Sequence, residues 1–287
     1  GYSEQFTCQD GYELWLKFVS NFRVINVSKP LFYYRQHGQN LTSNEKRILD
    51  TRKKIKRKYV DNLVVKDSAI AIVPVRDLVI NNHVLSDVPI NEKKLLNHKV
   101  NVILDSKVVS HVFLVIDNQE TFVNIKRLYR NDSKVTVITR PESYAVRYKD
   151  LNLTVDMVVS NTVLMNLKYE YILIVAIEFP FVEHEVIDEM VDTMFLFNSD
   201  SVIGVRPDNR VFYQHLGHGL VPILDREKFT KIEREALYKV AGGISGTTRI
   251  AFEKSNSFIS GRISHVVLDE MSSFKIESEF TLSLFLS

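Results

Sequence analysis

The chain has 287 residues, of which 45% are hydrophobic and 25% charged, and its formal net charge is +2. This balance is typical of a globular chain and favours neither a nucleic-acid partner nor an anionic membrane surface. No apolar run reaches the ~18 residues that a transmembrane segment requires. The single cysteine, Cys8, excludes an internal disulfide and fits a reducing compartment, so we expect a cytoplasmic protein.

The first block, residues 1–43, is predicted to be a small α-rich segment. Its stretch GYELWLKFVSNF has apolar residues at roughly helical spacing, namely Leu14, Leu16, Phe18, Val19 and Phe22. The chain begins without Met and in the middle of a pattern. We therefore expect a fragment whose upstream part is missing.

This first block resembles the C-terminal end of a family-2 glycosyltransferase with the GT-A fold. The resemblance rests on QDGYELWLKF and YYRQHGQNLT, which occur in the family's order. It implies that Asp10 is the catalytic base on the acceptor hydroxyl and that Tyr34, Arg35 and His37 lie near the donor diphosphate. Gln9 departs from the family, which has an acidic residue there. The resemblance also implies an upstream glycosyltransferase domain that binds the sugar nucleotide.

The second block, residues 44–66, is strongly basic and contains neither Gly nor Pro. Ser43 is the predicted N-cap of a helix. The basic residues surround a narrow apolar seam, which consists of Ile48, Leu49, Ile55 and Tyr59. A nucleic-acid patch is one interpretation, and a solvated helical connector is the one that we favour.

The third block, residues 67–287, alternates apolar strand patterns with amphipathic helix patterns. The predicted strands are AIAIVPV, HVFLVID, KVTVIT, YEYILIVAI, SVIGV, ISGTTRIAF and ISHVVLD. This alternation predicts an α/β fold with a Rossmann-like, mostly parallel sheet and helices on both faces. Ligands of such sheets bind at the carboxyl ends of the strands, which directs attention to the residues after Val75, Ile116, Ile177 and Val205.

An ordered set of short motifs in this block resembles the acylneuraminate cytidylyltransferases, which are CMP-sugar synthetases. The motifs are AIVPVR, SDVPINEKKLL, VFLVIDNQE, RPESYA, YEYILIVAIEFPFVEHEVIDEMVD, SDSVIGV and VVLDEMSSFKIESEFTL. The resemblance implies a fold of the nucleotide-diphospho-sugar transferase type and a homodimer. It also implies Mg²⁺-assisted transfer of CMP from CTP to the anomeric hydroxyl of a sugar acid.

Four residues correspond to nucleotide-contacting positions of that family. Arg76 matches the arginine of the first loop, Lys93 or its neighbour Lys94 the second basic position, Arg140 the Arg-Pro motif and Asp117 the Ser-Thr-Asp motif. The family's two loop glycines are absent, and Asp77 stands in their place. Because an acidic residue repels phosphate, we expect this loop to bind phosphate more weakly than the family's loop does.

The C-terminal motif departs from the family in a second way. Where the family has a metal-holding Asp-Ile-Asp, this chain reads Lys275-Ile276-Glu277, and Thr281 replaces a later aspartate. Glu277 is the remaining candidate metal ligand. In the central loop Phe179 and Phe181 stand within the family's Thr-Ser-Pro-Leu/Phe segment. They are expected to pack in a core or to close a vacated pocket.

Two functional hypotheses follow. In the first, the chain is part of a bacterial surface-glycan glycosyltransferase protein whose cytidylyltransferase-like domain transfers CMP from CTP to a nonulosonic-type sugar acid. In the alternative, the domain is a pseudoenzyme that keeps the fold and serves as a dimerisation or scaffold module. The changes at Asp77 and Lys275 favour the alternative.

Overall fold

The computed structural model is an α/β structure in which a seven-stranded sheet is flanked by helices. Within the part of the chain that it describes, no helix has the length and apolar character needed to cross a membrane. The structure describes residues 5–6, 8–25, 27, 29, 31, 44–61, 66–76, 78–140, 151–208, 210–223 and 237–287.

The bounds of the regular elements are as follows. The strands are β1 Ala69–Val75, β2 Val79–Ile80, β3 His83–Val84, β4 Pro89–Ile90, β5 Lys93–Lys94, β6 Val109–Ile116, β7 Val135–Thr139, β8 Tyr171–Val175, β9 Ser201–Asp208, β10 Tyr213–His215, β11 Leu220–Pro222, β12 Leu237–Thr248 and β13 Ile263–Val267. The α-helices are α1 Asp10–Asn21, α2 Glu45–Val60, α3 Leu95–Leu104, α4 Gln119–Leu128, α5 Leu151–Leu164, α6 His184–Phe197, α7 Arg249–Ser255 and α8 Glu279–Leu286.

The large sheet has the strand order β13-β9-β12-β8-β1-β6-β7. Strand β1 pairs in parallel with both β6 and β8, β6 pairs in parallel with β7, and β9 pairs in parallel with β13. Strand β12 runs antiparallel between β8 and β9. The predicted mostly parallel sheet with flanking helices is therefore confirmed.

Strand β1 separates two hydrophobic cores. Ala69, Ala71 and Val73 belong to the larger core, which contains residues of α3 and α6. Ile70 and Ile72 point to the opposite face and belong to a second core with residues of α5 and α7. Because successive side chains of a strand alternate between faces, a strand that is buried on both faces must be apolar throughout.

Two predicted boundaries are wrong. The run ISGTTRIAF is not all strand, since β12 ends at Thr248 and α7 begins at Arg249. The Thr248 side chain accepts a hydrogen bond from the backbone N–H of Ala251 and so caps the new helix. The N-cap of α2 is Asn44 rather than Ser43, because the Asn44 side chain accepts from the backbone N–H of Arg47.

Helix α2 is not the solvated connector that its charge pattern predicts. It packs along α6, and Leu49, Ile55 and Val60 are buried. Its Lys56 side chain is only 6% exposed and donates to Glu189 at 2.8 Å and to Thr193 at 3.0 Å. The basic helix is thus held against an acidic surface of α6 by a buried ion pair.

A second ion pair joins the same two helices. Arg57 donates to Asp192 at 2.9 Å, and the Asp192 side chain is 2% exposed. The pKa of Asp192 is raised from 3.8 to about 7, first because burial disfavours the carboxylate and also because Asp188 and Glu189 lie nearby, although Arg57 opposes the shift. The native state therefore binds the Asp192 proton more tightly than the unfolded chain.

We predict that the free energy of unfolding falls as the pH rises from about 4 to about 7, because Asp192 ionises more readily in the unfolded chain. The contribution is roughly a few kcal/mol. Urea denaturation across this pH range measures it. Asp192→Asn should flatten the decline, whereas Asp105→Asn, at an exposed position, should keep it. Parallel pH profiles of wild type and Asp192→Asn would contradict the assignment.

Candidate functional site

Three of the candidate residues follow neighbouring strands at one edge of the sheet. Arg76 comes directly after β1, Asp117 after β6 and Arg140 after β7. The register pairs Val75 with Ile116, and Ile116 with Thr139. Because these strands are parallel, their carboxyl ends bring the three residues to the same edge, which we call the nucleotide edge.

Arg140 and Asp117 form an ion pair at this edge. The Arg140 Nη2 donates to the Asp117 Oδ2 at 2.7 Å, and the Arg140 side chain is only 3% exposed. The backbone N–H of Arg140 also donates to the carbonyl of Ile116. Among the described residues, the Arg140 Nε has no hydrogen-bond partner. The guanidinium is therefore placed by β7 and neutralised by Asp117.

The chain after β1 folds as two tight hairpins. Arg76 is exposed, and Asp77 lies outside the described residues. The hairpins β2–β3 and β4–β5 follow, joined by a 3₁₀ turn at Leu85–Asp87. Asn81, Asn82 and Asn91 occupy three left-handed positions of their turns and Glu92 occupies the fourth, where a glycine would otherwise be favoured. Because Ile80, Leu85 and Val88 are buried, this segment is packed into the core.

Lys93 lies on strand β5 and is exposed. It lines a groove between α3 and α4 together with Asn97, Asn101 and Tyr129. Its neighbour Lys94 forms an exposed ion pair with Asp87 at 2.9 Å. Among the described candidate residues, Arg140 and Asp117 are in direct contact. Lys93 lies on the β4–β5 hairpin.

Glu277 lies in the segment before α8 and is paired with Lys275. The Lys275 ammonium donates to the Glu277 carboxylate at 2.6 Å, and both side chains are exposed. The Thr281 hydroxyl accepts from the backbone N–H groups of Glu277 and Ser278 and completes a capping box. Thr281, which stands in place of the family's later aspartate, is thus part of a helix cap.

These residues do not fit a divalent metal site. To bind a metal ion, the Glu277 carboxylate would first have to separate from the Lys275 ammonium. In the described part of the chain, neither Glu277 nor Asp117 belongs to a group of three side chains close enough to share an ion. The group that does is Glu183, His184 and Glu185, which lies at the start of α6.

The loop after β8 is fixed by a buried lysine. Lys99, on α3, is fully buried, and its ammonium donates to the carbonyls of Phe179 at 2.7 Å and Val182 at 3.1 Å. Burial lowers the pKa of Lys99 to about 7, although Glu183 opposes the shift. The sequence pattern does not single out Lys99, because a lysine in an amphipathic helix usually extends to water.

Aromatic side chains fill the space above this loop, as expected for Phe179 and Phe181. Gly243 has φ +54°, and the ring of Phe179 lies where a side chain at that position would be. The Phe181 ring centroid lies 5.8 Å from that of Phe274 and 5.7 Å from that of Phe285. The backbone N–H of Ile276 donates to the carbonyl of Glu178, so the C-terminal segment closes over the loop.

Asp10 begins helix α1 and is exposed. The residues expected to share its site, Tyr34, Arg35 and His37, lie outside the described residues. The role of Asp10 as a catalytic base therefore stays a prediction.

No family model and no curated protein matches the sequence. Solved structures do match in fold. The 4-diphosphocytidyl-2C-methyl-D-erythritol synthase from Anaerococcus prevotii DSM 20548 is 12% identical, with a TM-score of 0.52 over 76% of this chain and 96% of that chain. Another 4-diphosphocytidyl-2C-methyl-D-erythritol synthase is 14% identical, with a TM-score of 0.53 over 77% and 98%.

A third structure is CMP:2-keto-3-deoxy-manno-octonic acid synthetase complexed with CTP. It is 10% identical, with a TM-score of 0.51 over 76% of this chain and 98% of that chain. The chain therefore shares the α/β fold of these synthases and of this synthetase. At identities this low, the structural likeness shows the fold alone. The resemblance of the first block to a glycosyltransferase stays a prediction.

We predict that Asp117→Asn destabilises the protein by about 2 to 3 kcal/mol, because it leaves the buried Arg140 guanidinium without its counter-charge. Equilibrium urea denaturation measures the change. The matched variant Asp156→Asn, at an exposed position on α5, should stay within about 0.5 kcal/mol of wild type. Equal stability of the two variants would show that the ion pair does not hold the edge.

Proposed function

We propose that the cytidylyltransferase-like domain is a pseudoenzyme that serves as a scaffold for the attached glycosyltransferase segment of a bacterial surface-glycan protein. In this proposal residues 67–287 keep the nucleotide-binding fold without transferring CMP. Residues 1–43 belong to the glycosyltransferase and residues 44–66 connect the two. The proposal includes a cytoplasmic location and a homodimer. A strictly monomeric protein in light scattering would contradict the homodimer.

The observation that carries the proposal is the pairing of the candidate acidic residues with cations of the same chain. Asp117 is bound to Arg140, and Glu277 is bound to Lys275. CMP transfer needs cations on the phosphates and carboxylates on a metal. Here Arg140 and Asp117 neutralise each other, as do Lys275 and Glu277. Binding of CTP with Mg²⁺ would have to break both pairs.

One observation favours the alternative, an active enzyme that transfers CMP from CTP to a nonulosonic-type sugar acid. Arg76 is exposed at the nucleotide edge, and no ion pair is seen for it among the described residues. A cation in this position is available to a phosphate. The alternative would use Arg76, Arg140 and Lys93 on the phosphates and would need Mg²⁺ as cofactor.

We predict that calorimetric titration of the full chain with CTP and Mg²⁺ gives no saturable heat, because Arg140 and Glu277 are already paired with Asp117 and Lys275. Pyrophosphate release from CTP in the presence of Mg²⁺ and a nonulosonic acid should equal that of Arg76→Ala. Arg127→Ala, at an exposed position on α4, is the matched control. Saturable CTP binding that Arg76→Ala abolishes and Arg127→Ala preserves would establish the alternative.

The scaffold role requires the N-terminal segment to be held by the domain, which the Lys56–Glu189 pair can test. We predict that Lys56→Glu releases helix α2, because it buries two facing carboxylates. Hydrogen exchange of the amides of 45–60 should accelerate by at least about tenfold. The double variant Lys56→Glu with Glu189→Lys should regain part of the protection. Unchanged exchange in Lys56→Glu would contradict the scaffold role.

A further inference from the structure

A cavity of 280 Å³ lies where α1 and α2 meet helix α6 and the edge strand β13. This junction cavity is remote in sequence from the residues of the nucleotide edge. Its wall combines aromatic and charged side chains, among them Tyr12, Trp15, Phe197, Arg52, Arg262 and Glu189. The volume is close to the lower end of the range for small-molecule sites, about 300–1,000 Å³, and suits a ligand of one ring.

The aromatic side chains form one continuous wall. The Tyr12 and Trp15 rings are stacked with centroids 5.8 Å apart, and Trp15 lies 5.5 Å from Phe197 on α6. Trp15 is 41% exposed, so part of its surface is open to a ligand. Flat aromatic faces of this kind bind the C–H face of a sugar or another planar ring.

The charged residues make the cavity positive. Arg52, Lys56 and Arg262 contribute three cations, and Glu189 contributes the one carboxylate of the wall. The pKa of His265, which also lines the cavity, is lowered by burial and by Lys56 and Arg52. The imidazole is therefore neutral near pH 7, and the surplus of arginine favours an anionic ligand.

The carboxylate of Glu189 is paired with Lys56 within the cavity wall. Its Oε1 accepts from Lys56, whereas among the described residues its Oε2 is buried without a hydrogen-bond partner. The Glu189 side chain is 7% exposed. The Glu189 carboxylate is thus taken up by Lys56, which leaves the charges of Arg52 and Arg262 to face a ligand.

We propose that the junction cavity binds a monosaccharide-sized anion, a sugar that carries a carboxylate or a phosphate. The anionic group faces Arg52 and Arg262, and the C–H face of the ring packs on Trp15. Such a ligand touches α1, α2 and the residue that directly precedes β13. It would therefore couple the N-terminal segment to the domain whether or not the nucleotide edge is active.

The experiment uses the full chain and its intrinsic fluorescence, because Trp15 is the only tryptophan. Titration with glucuronate tests the carboxylate and titration with glucose 6-phosphate tests the phosphate, with glucose as the neutral control. We expect a saturable change of Trp15 emission with at least one anion and none with glucose. The anion that binds more tightly identifies the charged group.

Arg262→Gln is the decisive variant, because its side chain is exposed and its removal leaves the packing intact. We expect it to weaken binding about fivefold without changing the melting temperature, whereas Arg130→Gln on the surface near α4 leaves binding unchanged. No saturable response to either anion would overturn the proposal. An equal response to glucose, or equal affinity of the two variants, would also overturn it.

Discussion

The structure depends on the burial of strand β1 on both faces and both edges. Its neighbours β6 and β8 are parallel to it, and parallel neighbours require crossover connections, which place helices over both faces. The same geometry brings the ends of β1, β6 and β7 together. The position of Arg76, Asp117 and Arg140 therefore follows from the burial of an apolar strand, before any chemistry is considered.

Buried basic side chains connect the elements around this sheet, and each is hydrogen-bonded to groups of its own chain. Lys99 donates to carbonyls of the loop after β8, Lys56 to Glu189 and Arg140 to Asp117. Removing a charge from water is costly unless it is paired and hydrogen-bonded, so each cation fixes the position of its partners. The loop at Phe179 and helix α2 are held in place by this requirement.

The sequence predicted what depends on local pattern and missed what depends on distant partners. The run Ala69–Val75 was placed correctly, because a strand covered on both faces is apolar without interruption. The environment of α2 could not be read, since a basic helix has the same pattern in water and against an acidic helix. Its partner Glu189 is 133 residues away from Lys56. The strand pattern predicted that Arg76, Asp117 and Arg140 follow strands of one sheet, but it did not predict the pairing of Arg140 with Asp117.

The ion pair at the edge also changes what the retained motif residues mean. An arginine that is buried beneath the end of β7 must keep a counter-charge, whether or not a nucleotide ever binds. Asp117 satisfies that need. A chain that has lost catalysis would thus still keep Arg140 and Asp117 in order to fold, while the exposed Arg76 and Glu277 would be free to change. The resemblance at the buried positions therefore supports common architecture, and the exposed positions carry the information about activity.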